Sequence, residues 1–315
     1  MTRGQGEQYE MIPWFMRGKP GDDWKTLVVA EIGNNHEGSW GNLVHMIECA
    51  ALVGADAVKI QVHCAESESQ WRVDGGLEHE PFPDRFQYHP QDDTRLGYWH
   101  RMEFDNKAME AIRDTIKKFN IKLIASVFSV DGLEWLLRFI PDVWAIKIPS
   151  GETDNQKLME AVYAIKKPVI ISTGMSDTRE VNANVCLFLN EPAVPELYVL
   201  QCITEYPTHP VDVGMNVVEV YSRNLLFKGG LSDHSGTIYP SIVAAYLGAA
   251  MVEVHVTFHK RMFGADIISS VTFEELEQLV GGVYWANEMR KNPVNKDMFE
   301  IPESAKVYRQ GRVNR

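Results

Sequence analysis

The chain of 315 residues is 45% hydrophobic and 23% charged, the composition of a globular protein that can bury a full core, with disorder expected only at its ends. A formal net charge of −12 argues against nucleic acid or an anionic membrane surface as partner, because phosphate backbones select basic surfaces. An anionic substrate would need its positive charge gathered locally.

Residues 1–24 form a polar extension with no apolar signal-peptide core. Short apolar, β-branched runs follow in chain order. They are "LVVAE" (27–31), "DAVKIQV" (56–62), "KLIAS" (122–126), "WAIKI" (144–148), "PVIIS" (168–172), "LYVLQC" (197–202), "LFKGGLS" (226–232) and "MVEVHV" (251–256). Amphipathic segments such as "NLVHMIECAALVG", "DNKAMEAIRDTIKKFN" and "NQKLMEAVYAIKK" lie between them, with apolar residues at helical spacing. Strand then helix, eight times, predicts a single-domain α/β fold, a TIM (β/α)8 barrel over 25–292, for which about 250 residues is ordinary. A long insert after strand two, 64–103, reads as a lid or rim loop whose cationic side chains include Arg72, Arg85, Arg95 and Arg101 and whose aromatic ones include Trp71, Tyr88 and Trp99. Residues 293–315 form a C-terminal tail. The longest apolar run, "IVAAYLGAAMV", is too short to span a bilayer, so a cytoplasmic protein is expected. Four separated cysteines with no CxxC read as reduced packing residues.

Strand parity locates the chemistry. Side chains alternate, so Val29 shares a face with Glu31, Ala57 with Lys59 and Gln61, and Ile124 with Ser126. Ala145 pairs in the same way with Lys147, Ile170 with Ser172, and Glu253 with His255. Each polar residue lies near its strand's C-terminal end, where barrel active sites form. Lys59 and Lys147 with Ser126, Ser150, Ser172 and Ser232 suggest a phosphate or phosphoester site. There is no GxxxxGK[ST], so a nucleotide P-loop is not indicated. His234 and His255 end neighbouring strands and can share a divalent ion near Glu31, with Asp233 as an orienter of His234. Glu152 is a candidate general base, and Tyr206 a substrate wall.

The motifs "AEIGNNHEG", "AVKIQ", "KIPSGE", "ISTGM", "TEYP", "LSDHS" and "EVHVT" with "FGADIISS" resemble the N-acetylneuraminate (sialic acid) synthase family over Thr26 to Arg312, in the family's order. That resemblance implies condensation of phosphoenolpyruvate with an aldose such as N-acetylmannosamine to give a nonulosonic acid and phosphate, assisted by Mn²⁺ or Mg²⁺. It implies phosphoenolpyruvate contacts at Lys59, Ser126, Lys147, Ser150, Ser172 and Ser232, and metal ligands at His234 and His255. Glu31, Gln61, Tyr206 and Asp266 would lie around the sugar, with Glu31 and Glu152 as the catalytic carboxylates and Glu152 activating water. Ser126 stands where the family commonly has threonine, and Ala265 where it commonly has proline. The resemblance also implies a homodimer, and the sequence ends before the family's antifreeze-like domain, so a separate cap-domain protein or the 64–103 insert, with its arginines as donors and its aromatics as walls, is expected to cover the sugar. A Schiff-base aldolase using Lys59 or Lys147, and a non-catalytic phospho-ligand-binding barrel, remain open alternatives.

Overall fold

The computed structural model describes residues 25–68, 92, 94–190, 192–296, 300–306 and 308. Eight parallel strands follow one another around the sheet: β1 (Leu27–Glu31), β2 (Ala57–Val62), β3 (Lys122–Val127), β4 (Ala145–Ile148), β5 (Val169–Ser172), β6 (Leu197–Cys202), β7 (Lys228–Asp233) and β8 (Met251–Thr257). Pairing of β1 with β8 closes the barrel and sets Glu31 opposite His255. The predicted strands are therefore present with ends shifted by a residue or two, and "LFKGGLS" begins at Lys228 because Leu226 turns out to solvent. A ninth strand, β9 (Ser270–Thr272), pairs with β8 and was not expected.

Helices α1 (Trp40–Leu52), α2 (Arg95–Met102), α3 (Asn106–Phe119), α4 (Val130–Phe139) and α5 (Gln156–Ile165) are followed by α6 (Thr178–Leu189), α7 (Met215–Ser222), α8 (Tyr239–Leu247), α9 (Phe273–Lys291) and the short α10 (Glu303–Lys306). Their ends are written locally. The Asp105 side chain accepts from Ala108 N to start α3, and Asn120 adopts left-handed geometry to stop it. Asp177 with Glu180 and Thr272 with Glu275 form reciprocal capping boxes on α6 and α9.

The outward strand faces, among them Val28, Ala30, Val58 and Ile60, pack under the helices in one continuous core. A second, separate cluster fills the barrel interior: Val29, Ala57, Ile124, Ala145, Ile170 and Met251, with Tyr198 and Leu200. The parity argument holds in detail, since this plug is made of the residues that share a face with the polar strand-end groups. Burial of the plug seals one end, so the polar layer above it opens only at the C-terminal end of the strands.

The insert is not wholly a loop, because α2 lies within it, capped by Thr94. Trp71, Arg72, Arg85 and Tyr88 fall outside the described residues, as do residues 1–24. No helix among the described residues is long and apolar enough to cross a membrane. The four cysteines are unpaired; Cys202 is buried, but Cys186 is exposed on α6, so the expectation that all four are packing residues fails there.

Candidate active site

A cavity of about 270 Å³ opens at the C-terminal end of the barrel. Of the residues assigned catalytic, substrate or metal roles by the family motifs, all but Glu152 line it: Glu31, Lys59, Gln61, Ser126, Lys147, Ser150, Ser172, Tyr206, Ser232, His234, His255 and Asp266. Strand register brings them together. Glu31 lies opposite Lys59, Gln61 opposite Ser126, Ser126 opposite Lys147, and Ser232 opposite Glu253.

The two lysines are not bare cations. Lys59 Nζ sits 2.9 Å from Glu31 Oε2 and donates to Ser126 Oγ at 2.9 Å. Lys147 Nζ donates to Glu253 Oε1 at 2.5 Å, and Ser232 Oγ donates to the same oxygen at 2.9 Å. Two ammonium groups buried without partners would carry a desolvation cost of several kcal/mol each, and the neighbouring carboxylates offset it. Burial works to raise Glu253, but Lys147 and Lys59 outweigh it and hold the carboxyl at about 2. For Lys59, burial works downward while Glu253 and Glu31 outweigh it, leaving the ammonium above its usual range. Lys147 goes the other way: burial dominates and lowers it, with Glu253 opposing. An ammonium carries three hydrogens, so Lys147 retains donors for an incoming anion. Ser150 Oγ accepts from Gly174 N at 3.1 Å and donates to Cys202 Sγ at 3.7 Å, a long contact that an incoming anion can displace. Ser172 Oγ is buried with no hydrogen-bond partner, an unmet polar atom facing the same space.

His234 and His255 lie side by side in the cavity lining, with ring centroids 5.4 Å apart. His234 Nδ1 is 2.8 Å from the carbonyl of Ile203, the contact that orients the ring, while Tyr206 stacks on it at 4.1 Å and lies 3.2 Å from its Nε2 through the phenol oxygen. Burial and then the neighbouring His255 hold His234 at about 3, so its imidazole is neutral at pH 7. His255 Nδ1 is buried with no hydrogen-bond partner, 3.6 Å from Asp266 Oδ2. Among the described residues, no group of three or more His, Cys, Asp or Glu forms a ready-made metal centre. Two adjacent imidazoles, His234 held neutral by burial and His255 with an unpartnered nitrogen, nevertheless fit a divalent ion that draws its other ligands from substrate and water.

Two expectations, those for Asp233 and Arg101, are corrected, and a third residue stands aside from the cavity. Glu152 is buried, but it does not line the cavity; its Oε2 accepts from Asn155 Nδ2 at 2.7 Å, in a 3-10 turn (Ser150–Glu152) whose first two residues do line it. Asp233 does not orient His234: its oxygens accept from Ser235 N and Ser241 Oγ, so it caps the loop. Arg101 is no sugar donor, because its guanidinium is spent on Asp92 and on the carbonyl and carboxylate of Glu37.

Other lining residues were not read from the sequence as site groups: Glu253, Tyr98, Phe128, Met175 and Cys202. Glu253 had a signal, the inward parity it shares with His255. Tyr98 belongs to α2, and nothing in the sequence says which face of that helix turns inward. Trp99, expected as a wall, does line the cavity.

A closed eight-stranded barrel with lysines, serines, carboxylates and imidazoles gathered at the strand C-termini is the architecture of a barrel enzyme. The chain belongs to the NeuB family, whose model matches residues 46–295. It is 30% identical over 268 residues to pseudaminic acid synthase of Campylobacter jejuni, covering 83% of this chain and 74% of that one. It is also 30% identical over 256 residues to N,N'-diacetyllegionaminic acid synthase of the same species, covering 81% and 74%. Among solved structures, the N-acetylneuraminic acid synthetase of Leptospira borgpetersenii superposes with a TM-score of 0.72 at 25% identity, covering 91% of each chain.

Proposed function

We propose that this enzyme is a phosphoenolpyruvate-dependent condensing synthase, joining phosphoenolpyruvate to an aldose resembling N-acetylmannosamine to give a sialic-type nonulosonic acid and phosphate. The observation that carries the reading is one cavity that gathers Lys59, Lys147, four serine hydroxyls and the two imidazoles. The differing sugar acids in the relatives' names leave the aldose to experiment.

In this reading Lys59, Lys147, Ser126, Ser150, Ser172 and Ser232 hold the phosphate and carboxylate of phosphoenolpyruvate, the lysines as compact charges and the hydroxyls as neutral donors. An Mn²⁺ or Mg²⁺ ion held by His234 and His255 would polarise the aldehyde oxygen. Gln61, Tyr206 and Asp266 orient the open-chain sugar. C3 of phosphoenolpyruvate forms a bond to the aldehyde carbon, water adds at C2, and the C2–O bond breaks to release phosphate. Glu31 is the carboxylate best placed to exchange a proton at the sugar, since it lies in the cavity wall. Glu152 can serve the water step once the 3-10 turn shifts its carboxyl around Gly151, a movement that closure on substrate can supply. The depressed ammonium of Lys147 favours one second reading, a Schiff-base aldolase.

Phosphate release from phosphoenolpyruvate across a panel of N-acetylhexosamines and simple aldoses, with and without chelator, tests the proposal. Aldose-dependent release that chelation abolishes and Mn²⁺ restores is expected. Borohydride trapping of pyruvate on Lys147 without phosphate release would establish the aldolase instead.

A further inference from the structure

Beside the cavity lies a buried titratable pair that the chemistry above does not use. His63 follows β2 directly, and Glu68 follows the 3-10 turn Ala65–Ser67 at the root of the insert; they are 2% and 0% exposed. His63 Nδ1 is 2.8 Å from Glu68 Oε1, and its Nε2 is 3.2 Å from Gln61 Oε1. Gln61 Nε2 in turn donates to Glu31 Oε1 at 2.9 Å. A chain of polar contacts thus runs from the insert, through His63 and Gln61, to the Glu31–Lys59 pair.

The direction of each bond follows from the inventory of donors. A carboxylate only accepts, so Gln61 turns its N–H toward Glu31, and its carbonyl oxygen is left facing His63. His63 must then donate from Nε2. The 2.8 Å contact between Nδ1 and Glu68 Oε1 fixes the orientation of the ring. The ring is held between two aromatic faces, Phe128 at 4.4 Å and 21° and Trp99 at 4.4 Å and 37°. Without His63, the Glu31 contact alone would hold the Gln61 amide against a flip that exchanges a donor for an acceptor at the cavity wall.

We propose that His63, fixed by Glu68, is a positioning residue that locks the Gln61 amide with its N–H toward Glu31 and the cavity, so that the acceptor sugar meets a hydrogen-bond donor there. The second amide hydrogen of Gln61 is the one left for a substrate oxygen. This inference rests on the synthase reading, because it concerns the acceptor side of that site.

The test is a double-mutant cycle on the intact chain, using phosphoenolpyruvate and the N-acetylhexosamine that the wild type turns over fastest in the panel above. His63→Phe keeps an aromatic ring between Phe128 and Trp99 and removes both ring nitrogens, the donor toward Gln61 among them. It should raise the KM for the sugar about tenfold, the scale of one lost hydrogen bond, and shift the KM for phosphoenolpyruvate less than about twofold. In a Gln61→Ala background the same change should do nothing further, since His63 acts through Gln61. His63→Gln, which restores a donor toward Gln61, should recover part of the loss. Should His63→Phe fail to fold, Glu68→Gln serves in its place and should shift the sugar KM alone in the same direction. Multiplicative effects in the double mutant, equal rises in both KM values, or an unchanged sugar KM would overturn the proposal. A wild type that condenses no sugar at all would instead overturn the synthase reading.

Discussion

Glu253 balances the two buried lysines, and its loss is the most informative single substitution in the cavity. Glu253→Gln leaves Lys147 and Lys59 without their shared counter-charge, and we expect a loss of about 3 kcal/mol or more, read from the urea midpoint. A change below about 1 kcal/mol would mean that the lysines find other compensation. The pH dependence has a definite sign. The folded-state pKa of Glu253 is about 2 against an ordinary 4.5, so its contribution to stability is complete above pH 4.5 and is lost as pH falls from 4.5 toward 2. Glu37 acts in the opposite sense: burial raises it to about 7, with Arg101 opposing, so the folded state binds its proton more tightly than the unfolded chain. Its contribution is therefore present below pH 4.5 and is lost as pH rises through 7. Glu37→Gln keeps an amide in place of the acid, and its stability relative to wild type should improve between pH 5 and 8; a flat difference across that range in thermal melts would contradict the assignment. At this scale the sequence was legible wherever strand parity applied, which is why Glu31, Lys59, Lys147 and Ser126 were found. It was silent on Glu253's partner, because Lys147 is 106 residues away and only barrel closure brings the two together. Glu152 shows the converse, since a motif names a residue but not the direction of its carboxyl.

The insert is the element whose role the sequence described least well. Its length and its lack of strand pattern were visible, but "RLGYWHRM" is too short for its helical period to stand out, and the clamp that seats α2 is nonlocal. That clamp is Arg101, which is largely buried, joining Asp92 to the loop after β1 through Glu37. Arg101→Met should lower the opening free energy of α2 by about 2 kcal/mol or more in native-state hydrogen exchange and leave β3 and β6 unchanged. Uniform loss of protection across the barrel would show that α2 is part of the global folding unit. Strand β7 offers a second check. A Cβ on Gly229 would sit 2.2 Å from the carbonyl carbon of Tyr221, so α7 packs on this strand only because residue 229 has no side chain. Gly229→Ala should cost at least about 2 kcal/mol by urea denaturation, and a neutral result would mean that α7 can back away freely. Strand β9 was illegible for a simpler reason, since three residues carry no periodicity.

For the whole molecule, the fold was legible because a parallel barrel repeats one local pattern eight times, and repetition compensates for uncertain strand ends. Closure through β1 and β8 then converts distant strand ends into one site, which explains how an acidic protein gathers two lysines in one cavity. The central claim is that this site breaks the C–O bond of phosphoenolpyruvate after condensing it with an aldose. Phosphoenolpyruvate labelled with ¹⁸O at the bridging oxygen, incubated with the enzyme, Mn²⁺ and the aldose giving most phosphate, tests this most directly by mass analysis of both products. The account predicts that the label leaves entirely in the phosphate. Label retained in the sugar acid would mean P–O cleavage and would contradict it.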